Sequence, residues 1–293
     1  MDKKIVLFPG QGSIKRQAAI SGYHNSQIVK NTFLEFSEYC HTNLAEAVED
    51  ENIHDIVTIS EIIFTLSIAT YRETMQHANL DNAIFAGHSL GEISALTCAG
   101  VFSVRDGLKL VKKRAQIALQ AGIGRMYVIS GMDHEDIKEI CENLYHLGEE
   151  VWICCDNTVS QVCIAGSEKS LNKAITLFKK IGCKTHYLKD NLPYHCKLMK
   201  RGEKELKDYI NTLKLNSLNH IVLSDVFAQP YTSPEETAEF LSLQLSHCVR
   251  WVDMIAYLEK QNFQQCYEMG YSDILTKIIL NLPHSWSFEN YIY

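Results

Sequence analysis

Asn82-Ala83-Ile84-Phe85-Ala86-Gly87-His88-Ser89-Leu90-Gly91-Glu92-Ile93-Ser94-Ala95-Leu96-Thr97-Cys98-Ala99-Gly100 is the stretch on which the fold turns. Its first five residues read as a short buried strand. Glu92 to Ala99 read as a helix that ends at Gly100. Between them Gly87-His88-Ser89-Leu90-Gly91 fits Gly-x-Ser-x-Gly, the turn that lifts a serine hydroxyl from the end of a strand onto the start of a helix. The two glycines remove side chains that so sharp a turn would bring into collision. A helix start also places backbone N–H groups and a partial positive charge beside the hydroxyl, which suits an acyl intermediate.

Strands alternate with helices outward from this stretch. Lys4-Ile5-Val6-Leu7-Phe8 is a buried-strand pattern stopped by Pro9-Gly10-Gln11-Gly12-Ser13. Helices are expected around Asn25 to Cys40, Glu61 to Gln76 and Asp106 to Gln120. This rhythm predicts a mostly parallel sheet covered on both faces, an α/β-hydrolase-like unit. After Gly122-Ile123-Gly124 the pattern changes to strand (from Met126), helix (from Asp133), two strands (from Val151 and Gln161), helix (from Ser167) and strand (from Lys184). That is β-α-β-β-α-β, the order of a ferredoxin-like unit whose ends lie close together. We therefore expect a large catalytic domain over 1–123 and 191–293, with a small subdomain inserted at 124–190. Beyond Tyr194 a charged helix is expected, then strands at Ile221 to Ser224 and Gln265 to Met269, with helical stretches in Thr232 to Leu245 and Trp251 to Gln261.

The bulk numbers narrow the function classes. At 293 residues and 46% hydrophobic, the chain can build a sizeable core without disulfides or a metal. Ten cysteines are scattered with no Cys-x-x-Cys and no zinc spacing, so free thiols in a reducing cytoplasm are expected. The net charge of −7 argues against general nucleic-acid or anionic-membrane affinity. No apolar run is long enough to span a bilayer, and Met1 to Lys4 lead straight into a strand rather than a secretory signal. No metal or bound organic cofactor is expected.

A serine nucleophile needs a base. Composition cannot choose among twelve histidines. Position singles out His195, in Leu192-Pro193-Tyr194-His195-Cys196, where the chain re-enters the large unit over the cleft between the two units. The Pro9 to Ser13 turn could cradle a phosphate, present one N–H to an oxyanion, or simply be a tight turn; it lacks the rest of a dinucleotide fingerprint. Arg114 stands beside Lys112 and Lys113 and, on pattern alone, reads as one more solvated charge on a basic helix face.

Several separated motifs, in order and nearly end to end, resemble malonyl-CoA:acyl carrier protein transacylases. They are Phe8-Pro9-Gly10-Gln11-Gly12-Ser13, Gly87 to Glu92, Leu110-Val111-Lys112-Lys113-Arg114, Asn157 with Gln161 to Gly166, Pro193 to Met199, Gln244-Leu245 before Val249-Arg250-Trp251, and Tyr267-Glu268-Met269-Gly270 with Leu275-Thr276. The resemblance extends to free-standing enzymes that serve a polyketide synthase. It implies Ser89 as the acyl-accepting nucleophile and His195 as general base, then acid. The N–H groups of Gln11 and Leu90 would form the oxyanion hole, and Arg114 would grip the free carboxylate of a malonyl group. The backbone carbonyl near Gln244 would orient His195, and Asn157 and Gln161 would shape the cleft. An arginine suits the selector's task because it can hold a carboxylate through two parallel hydrogen bonds. The implied partners are malonyl-CoA, as substrate, and an acyl carrier protein, the enzyme itself being a monomer. Carriers of this kind are acidic, so Lys197, Lys200 and Arg201 are candidate docking residues, against the alternative of a solvated face.

The chain departs from the pattern at Ile14, Ser60-Glu61, Cys248, Tyr271-Ser272 and Tyr194. A large ring at Tyr194 would shrink the space near the acyl α-carbon. Two other functions fit part of the pattern: an acyl hydrolase of the same fold that clears carriers, and a non-catalytic carrier-binding protein. The first has no need of Arg114, and the second has no need of Ser89 and His195.

Overall fold

A computed structural model describes residues 3–120, 124–189 and 192–289. In chain order the elements are β1 (Lys4–Phe8), α1 (Arg16–Asn25), α2 (Gln27–Cys40), α3 (Leu44–Glu49), α4 (Ile56–Thr74), β2 (Ile84–Gly87), α5 (Leu90–Cys98) and α6 (Val104–Gln120). Then come β3 (Arg125–Ser130), α7 (His134–His146), β4 (Val151–Thr158), β5 (Gln161–Gly166), α8 (Glu168–Lys180) and β6 (Lys184–Tyr187). A short 3-10 turn at Lys197–Met199 leads into α9 (Gly202–Ile210), β7 (Ile221–Leu223), α10 (Glu236–Gln244), α11 (Trp251–Glu259), β8 (Gln265–Glu268), α12 (Ile274–Ile279) and β9 (Ser287–Glu289).

The first sheet is parallel throughout, in the order β7-β2-β1-β8-β9. Ile5 to Phe8 of β1 and all of β2 are buried, as a strand covered on both faces must be. Because the strands run the same way, their carboxyl ends share one edge. The turn Pro9-Gly10-Gln11, the corner His88-Ser89, the segment Ser224-Asp225 and Met269-Gly270 all follow strand ends there. Sites in open parallel sheets form along such an edge.

The second sheet is antiparallel, in the order β4-β5-β3-β6, with α7 and α8 packed on it over a small core of its own around Ile129, Ile137, Val162, Leu171 and Phe178. Element order and strand order together make the ferredoxin-like arrangement expected from the sequence. The two units join at Val249, whose backbone pairs with β4: Asp156 N–H donates to Val249 O (2.9 Å) and Val249 N–H donates to Cys154 O (2.9 Å). The expected boundaries at 123/124 and 190/191 fall at residues 121–123 and 190–191, outside the described residues.

Three expectations are adjusted. The helix expected from Glu61 begins at Ile56, because the Asp55 carboxylate caps it, accepting from the N–H groups of Val57 (3.3 Å) and Thr58 (3.0 Å). The charged segment after His195 is a 3-10 turn followed by a separate helix rather than one helix. The stretch Thr232 to Leu245 is helical from Glu236 to Gln244.

Candidate active site

The corner after β2 is built by glycine. A Cβ at Gly91 would overlap the Phe8 carbonyl oxygen, and one at Gly87 would overlap the backbone of Gly91 and Glu92. Ser89 itself is held at φ 57°, ψ −118°, a conformation that non-glycine residues rarely adopt. The Ser89 side chain makes no capping bond to the helix that follows. Opposite it His195 also has a positive φ, 62°, fixed by its own N–H donating to Leu245 O at 2.7 Å.

These two side chains meet. Ser89 Oγ lies 2.6 Å from His195 Nε2, and His195 Nδ1 lies 2.7 Å from the carbonyl oxygen of Gln244. A carbonyl only accepts, so Nδ1 carries the proton and Nε2 presents its lone pair to the serine hydroxyl. The imidazole is buried, and that burial, with the nearby charges of Arg114 and His88, holds it well below its ordinary value of 6.5. It is neutral at physiological pH and able to take a proton. A backbone carbonyl therefore does what a triad carboxylate does elsewhere, fixing tautomer and orientation.

Arg114 comes to the same oxygen from α6. It is 1% exposed, a buried guanidinium and not a solvated one. Its Nη2 donates to Ser89 Oγ at 3.1 Å and its Nε to Gln244 Oε1 at 3.1 Å. Its face lies over the Tyr194 ring, 4.2 Å from the centroid. A cleft of about 590 Å³ opens in front, lined by Gln11, Ser89, Asn157, Gln161, Tyr194 and His195 among others. Leu90 opens α5, where first-turn N–H groups have no partner inside the helix. The Ser89 N–H, by contrast, is already used, donating to Asp225 Oδ2 at 3.0 Å. Asn157 Oδ1 sits 3.1 Å from His88 Nε2 and ties the serine turn to the small sheet.

Beneath the serine is a polar cluster in which only Gln244 had a role assigned from the sequence. Glu92, Asp225 and Gln244 are all fully buried. The Gln244 amide nitrogen lies 2.9 Å from Ser89 O, 2.6 Å from Glu92 Oε2 and 3.2 Å from Asp225 Oδ2. Glu92 Oε1 accepts from the Tyr231 hydroxyl (2.7 Å) and from Asp225 N–H (3.2 Å). Burial raises both carboxyls, Asp225 well above its ordinary value because Glu92 is beside it. Their signal in the sequence was faint but present: Glu92 is the one charge in an otherwise apolar helix, and Asp225 follows a buried strand at the carboxyl edge.

The expected docking residues lie elsewhere. Lys197, Lys200 and Arg201 are exposed and outside the cleft lining. Lys197 sits over the Tyr145 ring, and Lys200 pairs with Glu203 at 2.8 Å. Among the described residues no group of three or more His, Cys, Asp or Glu is placed to hold a metal ion, and no helix is long and apolar enough to cross a membrane.

A hydroxyl at a strand–helix corner, a neutral imidazole and a buried guanidinium on one oxygen can together transfer an acyl group. Residues 5–268 match the acyl transferase domain family. The chain belongs to that family. Among its relatives, the malonyl CoA-acyl carrier protein transacylase of Escherichia coli O157:H7 is 32% identical over 277 residues, 92% of this chain and 89% of the relative. The crystal structure of FabD from Acinetobacter baumannii superimposes with a TM-score of 0.90 at 28% identity, covering 98% of this chain and 93% of the other. A malonyl-transacylase solved in complex with a type II polyketide-synthase acyl-carrier protein also gives 0.90 at 28% identity, covering 98% and 95%. This acyl transferase is thus similar to these solved structures over nearly its whole length.

Proposed function

We propose that this acyl transferase moves a malonyl group from malonyl-CoA to the phosphopantetheine thiol of an acyl carrier protein through an ester on Ser89. His195 Nε2 takes the hydroxyl proton as Oγ bonds to the thioester carbon. The N–H groups of Gln11 and Leu90 stabilise the oxyanion. The carbon–sulfur bond then breaks, and the CoA thiolate leaves with the proton from His195. In the second half the carrier thiol gives its proton to His195, attacks the ester, and Ser89 recovers its hydrogen. Asn157 and Gln161 shape the cleft from the small unit, which we assign to 124–190, inserted in a catalytic domain of 1–123 and 191–293.

One observation carries this reading: the Arg114 guanidinium, buried and 3.1 Å from the nucleophile oxygen. A charge so placed favours an acyl group that brings a carboxylate and penalises one that leaves the guanidinium unmatched. A hydrolase of simple acyl chains would gain nothing from it. The enzyme is proposed to act as a monomer. The carrier is proposed to dock at Lys197, Lys200 and Arg201, and the pathway served is fatty-acid or polyketide synthesis. The test is Arg114→Ala. Its kcat/KM for malonyl-CoA should fall about 100-fold, the cost of truncating one partner of a buried charge pair, with acetyl-CoA much less affected. Equal losses for both thioesters would remove Arg114 as selector.

A further inference from the structure

One buried donor of the cleft lining lacks an acceptor among the described residues. Tyr194 is 1% exposed and lines the cleft next to Ser89 and His195, yet its buried hydroxyl makes no hydrogen bond among the described residues. Arg114 lies over the same ring, with Nε and Nη2 engaged by Gln244 and Ser89. A buried hydroxyl without a partner costs stability, and a phenylalanine would fill the same space and stack under the guanidinium without that cost. An acceptor that enters the cleft would supply the missing partner. Burial raises the phenol while Arg114 acts the other way, and the hydroxyl stays protonated at neutral pH, so it offers a donor.

An acyl thioester brings few acceptors. Its carbonyl oxygen is claimed by the N–H groups of Gln11 and Leu90. A dicarboxylic acyl unit adds a carboxylate with two oxygens, enough for a guanidinium and a phenol at once. We propose that the Tyr194 hydroxyl donates a hydrogen bond to the terminal carboxylate of the bound malonyl unit, sharing it with Arg114, and so acts as a second selector for a dicarboxylic substrate. The inference rests on the malonyl reading above. It also explains why a phenol, and not merely a bulky ring, stands before the histidine.

The test is Tyr194→Phe, which keeps ring and stacking and removes one oxygen. KM for malonyl-CoA should rise about tenfold with kcat nearly unchanged, while loading from acetyl-CoA changes by less than about twofold. Inhibition by free malonate should weaken by a similar factor. Without ligand the variant should melt at or above the parent temperature. Three results would each overturn the proposal: an unchanged malonyl-CoA KM, an equal loss with both thioesters, or a lower melting temperature, which would mean that the hydroxyl has a structural partner. A parent enzyme that does not load malonyl at all would instead defeat the malonyl reading itself, and this inference with it.

Discussion

Ser89 and His195 both sit at positive φ, and both are held there by backbone contacts: the Gly91 turn packed against Phe8, and the Leu245 carbonyl. Backbone strain of this kind persists where the surroundings over-determine it, and here it brings hydroxyl and imidazole to 2.6 Å. The electrostatics of the same pair fix a pH profile. Burial depresses His195 well below 6.5, so the base stays unprotonated, and active, as pH falls through that value. The kcat/KM for malonyl-CoA should stay level from neutral pH through 6.5 and decline only at lower pH, which initial rates from pH 5 to 8 would show. A decline centred at 6.5 or above would mean that His195 is not buried beside a positive charge. Single residues were only partly legible in the sequence. Ser89 and His195 announced themselves by motif and by position, whereas the burial of Arg114 was hidden because its neighbours Lys112 and Lys113 make α6 look solvated. Asp225 was hidden because nothing in a lone aspartate after a strand tells whether it faces water.

Elements with a clear period were legible, and those defined by caps or by tertiary contacts were not. The short apolar runs of β3, β4 and β5 and the apolar stripes of α7 and α8 let the small unit be traced from pattern alone. The short helix α1, with no side-chain cap and a polar sequence, left no such trace. The start of α4 was missed because the signal lay in Asp55, outside the apolar run it caps. At the first turn of α5 the demand is steric: a side chain at Gly91 has nowhere to go except into the Phe8 carbonyl of β1. Gly91→Ala should lower unfolding free energy by about 1–3 kcal/mol through overpacking and backbone shift, measured by urea denaturation. An unchanged midpoint would show that the corner is looser than its contacts imply.

At the scale of the molecule, one parallel sheet supplies the nucleophile and an antiparallel sheet closes the opposite wall of a cleft, with Val249 and the His88–Asn157 contact joining them. Fold class was legible because the change in rhythm near residue 124 marks where one sheet gives way to the other. The surface was the least legible level. Lys200, a candidate docking residue, pairs with Glu203, and Lys204 and Lys207 farther along the chain pair with Asp208 and Glu239. The docking proposed for an acidic carrier there would rest on Lys197, which lies over the Tyr145 ring, and on Arg201. Reversing charge at Lys200 and Arg201 together should lower kcat/KM for the carrier about tenfold at low salt and leave CoA loading unchanged; an unchanged carrier rate would move the docking surface elsewhere. The central claim, that the Ser89 hydroxyl takes a dicarboxylic acyl unit from a thioester and holds it for a thiol, is tested most directly by intact mass. The parent protein mixed with malonyl-CoA should gain one malonyl group and lose it when a carrier thiol is added, while Ser89→Ala gains nothing. Loading of the alanine variant, or rapid loss of the acyl group to water before any thiol arrives, would contradict the account.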